Sequence, residues 1–393
     1  MPDGPGKLKD RVLERLQSIR ADKLERFLRP PSGIDFSSND YLGLSAHPRI
    51  RQAMIDAIAR DGVGSTGSRL LRGDRTAFTD VEKRFAEFKG AERALYFSSG
   101  YLANLAVMTT LPERGDFVFS DERNHASLID AIRLSPAARV VVPHLDTDTI
   151  GQAIAEHSPS GQIFFVTESL FSMDGDIAPL KQYAALCRLT GAMLVVDEAH
   201  AVGTYGARGS GLLEHFGLDA NSYVSINTAG KALGVTGAFV AGPAWAIDYL
   251  IQRARPFIFT TAPPPSVAAA LAASLDVLAA EPERRARLTS RVTRLHTALA
   301  ARGIFVPHQP THIIPIVIGD NDRALAAAER LQSQGFDVRA IRPPSVPRAT
   351  ARLRLSVNAD LDDETIDRFA AVLSGVLHEL TINEAPSWSA ASS

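Results

Sequence analysis

Met193-Leu194-Val195-Val196-Asp197-Glu198-Ala199-His200 decides the fold: four apolar residues run into acids that the middle of a buried strand would not tolerate. Residues 193–196 read as a strand covered on both faces, the kind that builds parallel sheets. Open α/β sheets assemble their sites at the carboxyl ends of such strands, and Asp197 falls there. Six more short apolar runs surround this one, at 94–97, 117–119, 139–142, 163–166, 223–226 and 238–241, with helical patterns between them. That rhythm predicts a mostly parallel, seven-stranded sheet in one large α/β domain.

The flanks complete the expected organisation. A basic amphipathic helix is expected over residues 8–28, with Val12, Leu13, Leu16 and Ile19 on its apolar face, ended by Pro30-Pro31-Ser32-Gly33. It belongs to an arm, residues 1–47, that docks on the main body or on a partner subunit. The large domain is read as 48–282. Glu281-Pro282-Glu283-Arg284-Arg285 interrupts an alanine-rich helix and marks a hinge into a smaller α+β domain, 283–383, with strands at 313–318, 338–341 and 353–357. Residues 384–393 read as a disordered tail.

Composition narrows the function. The chain has 393 residues, 45% hydrophobic and 22% charged, the balance of a globular protein with room for more than one core. Its net charge of −2, without a sustained basic stripe, favours neither nucleic acid nor an anionic membrane. No stretch approaches the roughly 20 apolar residues that span a bilayer. Cys187 is the sole cysteine, which rules out an intrachain disulfide and a thiolate metal cluster. It is read as a core residue of a helix, and the cytoplasm is the expected location.

The candidate chemistry centres on Lys231 in Asn227-Thr228-Ala229-Gly230-Lys231, 34 residues after Asp197. A lysine that can form a Schiff base, and a carboxylate that can keep a pyridine nitrogen protonated, are what pyridoxal phosphate demands of a protein. Ser98-Ser99-Gly100-Tyr101 follows a strand and opens a helix, so its free N–H groups and helix dipole suit a phosphate. Thr228 would add a hydroxyl, and Thr261 another from a neighbouring chain. His125, after a strand and at a helix start, would stack on a flat ring; His200 would meet a ring hydroxyl. Each residue alone has a blander reading, as a helix cap, a turn or a solvated side chain. His47, His157, His215, His296 and His378 have no such context. His308 and His312 are spaced i, i+4, but Pro310 between them argues against a helical metal pair.

Two patterns are decoys. Gly62-Val63-Gly64-Ser65-Thr66-Gly67 matches a dinucleotide fingerprint but follows a helical segment where a strand is required. Asp197-Glu198-Ala199-His200 spells a nucleotide motif of helicases, yet neither Gly-Lys pair in the chain is followed by Ser or Thr, so the phosphate loop is missing.

With those residues in hand, the chain resembles the α-oxoamine synthases, a fold-type I pyridoxal phosphate family, over nearly its whole length. Six ordered segments carry the resemblance: Ser38-Asn39-Asp40-Tyr41-Leu42-Gly43, Ser99-Gly100-Tyr101, Asn124-His125-Ala126-Ser127, residues 168–176, Asp197-Glu198-Ala199-His200 and Thr228-Ala229-Gly230-Lys231. The resemblance implies that Lys231 carries the cofactor, Asp197 binds its ring nitrogen, His200 its hydroxyl and His125 its face. Ser99, Gly100, Tyr101, Ser172 and Thr228 would complete the cofactor site, and Arg20 and Asn39 would touch substrate. The family joins an amino acid to an acyl thioester with loss of CO2, usually as a homodimer. Ile341-Arg342-Pro343-Pro344 points within it to members that use L-alanine and a pimeloyl thioester, carried by CoA or by acyl carrier protein. Arg354, and after it Arg352, would grip the amino-acid carboxylate; the alternative is a strand with outward arginines on one face. Phe78, Phe259 and Ala229 depart from the family pattern, the two phenylalanines at positions that bear on the acyl thioester. Other members of the family, and plain aminotransferases, are the alternatives.

Overall fold

Apolar, β-rich runs become strands here because helices cover both faces of the sheet they form. The structure, a computed structural model, describes residues 5–157, 161–307 and 309–382. After a two-residue strand, β1 (Ile34–Asp35), come seven strands: β2 (Arg93–Phe97), β3 (Phe117–Asp121), β4 (Ala138–Val142), β5 (Ile163–Glu168), β6 (Met193–Asp197), β7 (Tyr223–Thr228) and β8 (Ala238–Gly242). All seven expected runs are therefore strands, each extended by one or two residues.

They form one sheet in the order β2-β8-β7-β6-β5-β3-β4. Strands β3 to β7 pair in parallel with one another. β8 is antiparallel to both β2 and β7, so β2 points the same way as the parallel set. Six carboxyl ends, including Phe97, Asp121, Glu168, Asp197 and Thr228, thus share one edge, where ligands of open α/β sheets bind. Beneath that edge, side chains such as Val166, Val195, Val224, Ile226 and Val240 are buried with Val107, Ile132 and Leu250 of the covering helices. This packed layer fixes the strand register, since a one-residue slip would send each apolar side chain to the other face.

The chain divides into two compact units. The larger is Asn39–Ser290 with Asn358–Asp360; the smaller contains Arg291–Val357 together with the described residues up to Ser38 and from Leu361 onward. In the smaller unit, β9 (Ile313–Gly319), β11 (Ala340–Ile341) and β12 (Ala351–Ser356) form an antiparallel sheet in the order β11-β12-β9, while β1 pairs in parallel with β10 (Phe336–Asp337). Of the strand expected over 338–341 only β11 forms, and β10 lies just before the expected span. Between them Arg339 folds back to chelate Asp337, at 2.6 and 3.0 Å.

The first helix is shorter than its pattern, Pro5–Ala21 rather than 8–28. Lys23 adopts a left-handed φ of 57°, and Arg342 donates to the carbonyls of Lys23 and Glu25. Such tertiary bonds satisfy backbone groups that a longer helix would have used internally. The expected disordered tail and His308 lie outside the described residues. Cys187 sits, as expected, buried in the helix Leu180–Thr190, with burial pushing its thiol up to about 12.

Candidate active site

Lys231 lies three residues beyond the end of β7, half-buried, and its Nζ is 2.7 Å from His200 Nε2. The partners fix the tautomer. Tyr41 Oη donates to Asn39 Oδ1 at 2.9 Å, so at 2.7 Å it accepts from His200 Nδ1–H. That leaves Nε2 as the acceptor for the lysine amine. The relay Asn39–Tyr41–His200–Lys231 holds the amine with a lone-pair partner beside it.

Asp197 ends β6, where it is 6% exposed. One oxygen accepts the N–H of Ala199 and the other accepts Asn104 Nδ2, both at 2.8 Å. Asn104 Nδ2 also donates to Ser127 Oγ at 2.8 Å, and Ser127 in turn reaches His125 Nδ1 with its hydroxyl at 2.7 Å and its N–H at 3.2 Å. Nδ1 is therefore an acceptor and the imidazole is neutral. Burial lowers the His125 pKa, Asp197 opposes that, and Lys231 reinforces it. The residue nevertheless remains exposed to solvent.

A carboxyl that the sequence reading left without a role completes this layer. Glu168, at the end of β5, is the register partner of Asp197 and is fully buried. Burial, then the neighbouring Asp197 charge, raises it to about 8; Lys231 and the N–H groups of His125 and Ser172 pull the other way. Glu168 is therefore the neutral acid of the pair, and its Oε1 has no protein partner among the described residues. The register of β5 on β6, set by tertiary pairing, brings the two acids together. Asn104, Tyr41 and Ser127 were equally unassigned, because a polar residue inside an apolar helix or a glycine-containing loop carries no signal until its partner is known.

The phosphate-like corner lies at the start of the helix Gly100–Thr110. Ser99 caps it, accepting the N–H of Leu102 at 3.2 Å. The N–H groups of Gly100 and Tyr101 have no acceptor among the described residues. A Cβ on Gly100 would lie 2.7 Å from Thr228 Oγ1, so only glycine lets the helix start approach that hydroxyl. Tyr101 turns its hydroxyl to Asp130, at 2.8 Å, and offers the corner its backbone. Ser172 is buried in the loop after β5. That loop is tied down by His144, a further residue the sequence did not reveal. His144 bridges Asp121 at 2.9 Å and Asp176 at 3.2 Å, packs edge-on against Phe171, and is raised to about 9 by the two carboxylates against the cost of burial.

Thr261 is exposed. Arg20, Arg352 and Arg354 belong to the smaller unit. Arg20 pairs with Glu25 at 2.8 Å. The arginines of β12 are not outward: Arg352 and Arg354 are 5% and 7% exposed, and Arg354 donates to Ser356 Oγ at 2.7 Å. Every residue of β12 is buried, so both faces of this strand are covered.

The decoys fall on structural grounds. Glu198, the second acid of Asp-Glu-Ala-His, is fully buried, paired with Lys89 and accepting the N–H of Leu213 at 3.0 Å, so it serves the fold. Gly62 follows the helix Pro48–Asp61 and returns its N–H to Ile58, with no strand before it. No cluster of His, Cys, Asp or Glu among the described residues could hold a metal ion, and no described helix is long and apolar enough to cross a membrane.

The donor set fits pyridoxal phosphate. A primary amine, a buried carboxylate, an exposed imidazole and two helical N–H groups without an acceptor among the described residues, beside a threonine hydroxyl, are gathered at one sheet edge. Comparison with known proteins agrees. Residues 31–373 match the family described as aminotransferase class I and II. The 8-amino-7-oxononanoate synthase of Anaeromyxobacter dehalogenans is 47% identical over 348 residues, 88% of this chain and 87% of that protein. The protein of the same name from Geobacter sulfurreducens is 41% identical over 94% of this chain and 99% of its own length. Among solved structures, a serine palmitoyltransferase variant from S. paucimobilis with a bound PLP–myriocin aldimine superposes with a TM-score of 0.89 at 28% identity, covering 97% of this chain and 100% of that one.

Proposed function

Because this chain belongs to the aminotransferase class I and II family, and within it to the α-oxoamine synthases, we propose that it condenses L-alanine with a pimeloyl thioester. The products are 8-amino-7-oxononanoate, CO2 and the free thiol of the carrier, a step of biotin synthesis. The enzyme is a pyridoxal phosphate-dependent acyltransferase. What carries the choice of substrates is the 47% identity to a protein named for that product, against 28% to the serine palmitoyltransferase. The TM-score of 0.89 with the latter speaks only for a shared backbone.

Bound pyridoxal phosphate would supply an electron sink for charge that develops on the amino-acid α-carbon. Lys231 would hold it, Asp197 would keep its ring nitrogen protonated, His125 would cover its face and the Gly100–Thr228 corner would take its phosphate, with Ser99, Tyr101 and Ser172 alongside. His200, whose Nε2 accepts from the lysine amine, would meet the ring hydroxyl. Lys231 would also remove the α-proton of alanine. The α-carbon then attacks the thioester carbonyl and expels the thiolate; loss of CO2 from the β-keto acid is followed by return of a proton to the same carbon. Arg354 or Arg352 would hold the carboxylate until it leaves, and Arg20 and Asn39 would contact the substrates. A homodimer in the cytoplasm is part of this reading. It is supported by the exposed apolar face of the helix Pro5–Ala21, where Leu8 is 57% and Val12 46% exposed.

The test is thiol release from pimeloyl-CoA by the cofactor-loaded protein with L-alanine, glycine and L-serine in parallel. Release with alanine, matched by CO2, is the expected result. Release with serine or glycine only would overturn the substrate assignment, and Lys231→Ala must abolish turnover.

A further inference from the structure

His125 and Ser172 reach the candidate site from different loops. The turn after β3 delivers His125, and it is wound round Asp121, whose carboxylate accepts the N–H of Arg123 at 2.8 Å and that of Leu145 at 3.1 Å. The loop after β5 delivers Ser172 in a turn closed by the Phe171 N–H, which donates to the Asp176 carbonyl at 2.9 Å. Glu168 joins the two loops on one side, because the N–H groups of His125 and Ser172 both donate to its carboxyl.

His144 joins them a second time. Its Nδ1 lies 2.9 Å from Asp121 Oδ1, its Nε2 lies 3.2 Å from Asp176 Oδ2, and the ring meets Phe171 edge-on with centroids 4.4 Å apart. It therefore touches both residues that close the Ser172 turn, as well as the carboxylate that shapes the His125 turn. Ionised carboxylates only accept hydrogen bonds, so both ring nitrogens must carry protons for the bridge to be complete. A neutral imidazole has one N–H and serves one side only. Burial opposes the charged ring, but Asp121 and Asp176 outweigh burial and the nearby Arg123. Arg123 is itself answered by Asp174 at 3.3 Å and lies 3.9 Å from Asp176. Glu122 accepts the backbone N–H of His144 at 3.3 Å. On the helix Leu180–Thr190, burial and the charges of Asp121 and Asp146 keep the Tyr183 hydroxyl neutral.

We propose that His144 is a positioning residue for the cofactor: as a two-sided cation it holds the His125 and Ser172 loops in the arrangement that receives pyridoxal phosphate. The inference rests on the cofactor site and not on the choice of substrates. A loop that samples other arrangements lowers apparent affinity by the fraction of time it is in place, so a clamp outside the binding residues still governs binding.

The test compares full-length wild type, His144→Gln and Asp176→Ala in two measurements that need no substrate. The first is pyridoxal phosphate affinity by fluorescence titration of the cofactor-free protein from pH 6.5 to 10. At pH 7 both variants should bind about 5- to 50-fold more weakly than wild type. Glutamine, like a neutral imidazole, can donate to one carboxylate at a time, so the gap should close as pH rises through about 9 and the wild-type ring loses its second N–H. Titrations of Lys231 and of the cofactor are common to the three proteins and cancel in the ratio. The second measurement is hydrogen exchange at pH 7, in which residues 122–128 and 169–178 should exchange faster in both variants while β6 keeps its wild-type protection. Asp176→Ala removes one side of the bridge and spares the His144–Asp121 bond, so it decides the matter should His144→Gln not fold. Wild-type affinity in the variants at pH 7 would overturn the proposal. So would a weakening whose ratio to wild type does not change with pH, or faster exchange that extends to β6, since either marks a general loss of packing. Failure to release thiol from pimeloyl-CoA would remove the proposed reaction and leave this inference standing.

Discussion

Replacing Glu168 with glutamine tests the electrostatic order of the site. The carboxyl is fully buried next to Asp197 and raised from an ordinary 4.5 to about 8, so near neutral pH the folded protein keeps a proton that the unfolded chain has lost. Its contribution to stability is complete below about pH 4.5 and is lost as pH rises through about 8. At about 1.4 kcal/mol per tenfold change, that loss reaches an upper bound of roughly 5 kcal/mol. Glutamine keeps the shape, the acceptor for the N–H groups of His125 and Ser172, and the neutrality, but cannot ionise. Urea unfolding of the cofactor-free protein between pH 5 and 8.5 should show wild type losing several kcal/mol relative to Glu168→Gln. An infrared band of a protonated carboxyl should be present in wild type and absent from the variant. Parallel pH dependence in the two proteins, within about 1 kcal/mol, would refute a neutral Glu168, because a permanently ionised carboxylate gives no such linkage.

Gly100→Ala places a methyl 2.7 Å from Thr228 Oγ1; the overpacking, about 1–3 kcal/mol, should weaken pyridoxal phosphate roughly 5- to 100-fold in a fluorescence titration while far-ultraviolet circular dichroism stays unchanged. Lys89→Met strands the buried carboxylate of Glu198 and should cost about 3–5 kcal/mol in urea unfolding, with partial recovery in Lys89→Met/Glu198→Gln; a single variant as stable as wild type would contradict the pairing. For His144, raised to about 9 in the fold, the stabilisation is fully present below pH 6.5 and disappears as pH climbs through 9, so His144→Gln should lack the alkaline loss of stability that wild type shows.

The strands of the large sheet were legible because each is an apolar run buried on both faces, and burial of that kind leaves a compositional mark that does not depend on the partner strand. Lys231, Asp197, His200 and His125 were legible as residue types at strand ends with the spacing of a known family. The helix end at Ala21 was not, because bonds from Arg342, over 300 residues away, hold the chain that follows it. Nor was the break between β10 and β11, which turns on Arg339 folding back to Asp337. By itself the sequence determined the sheet, its functional edge and the chemistry placed there, since these follow from local pattern and side-chain type. Only the tertiary structure decided that Glu168 lies beside Asp197, that Asn104 and Ser127 link Asp197 to His125, that Glu198 is spent on Lys89, and that His144 bridges Asp121 and Asp176. Each of those depends on strand register or on contacts between distant segments, which no spacing along the chain encodes.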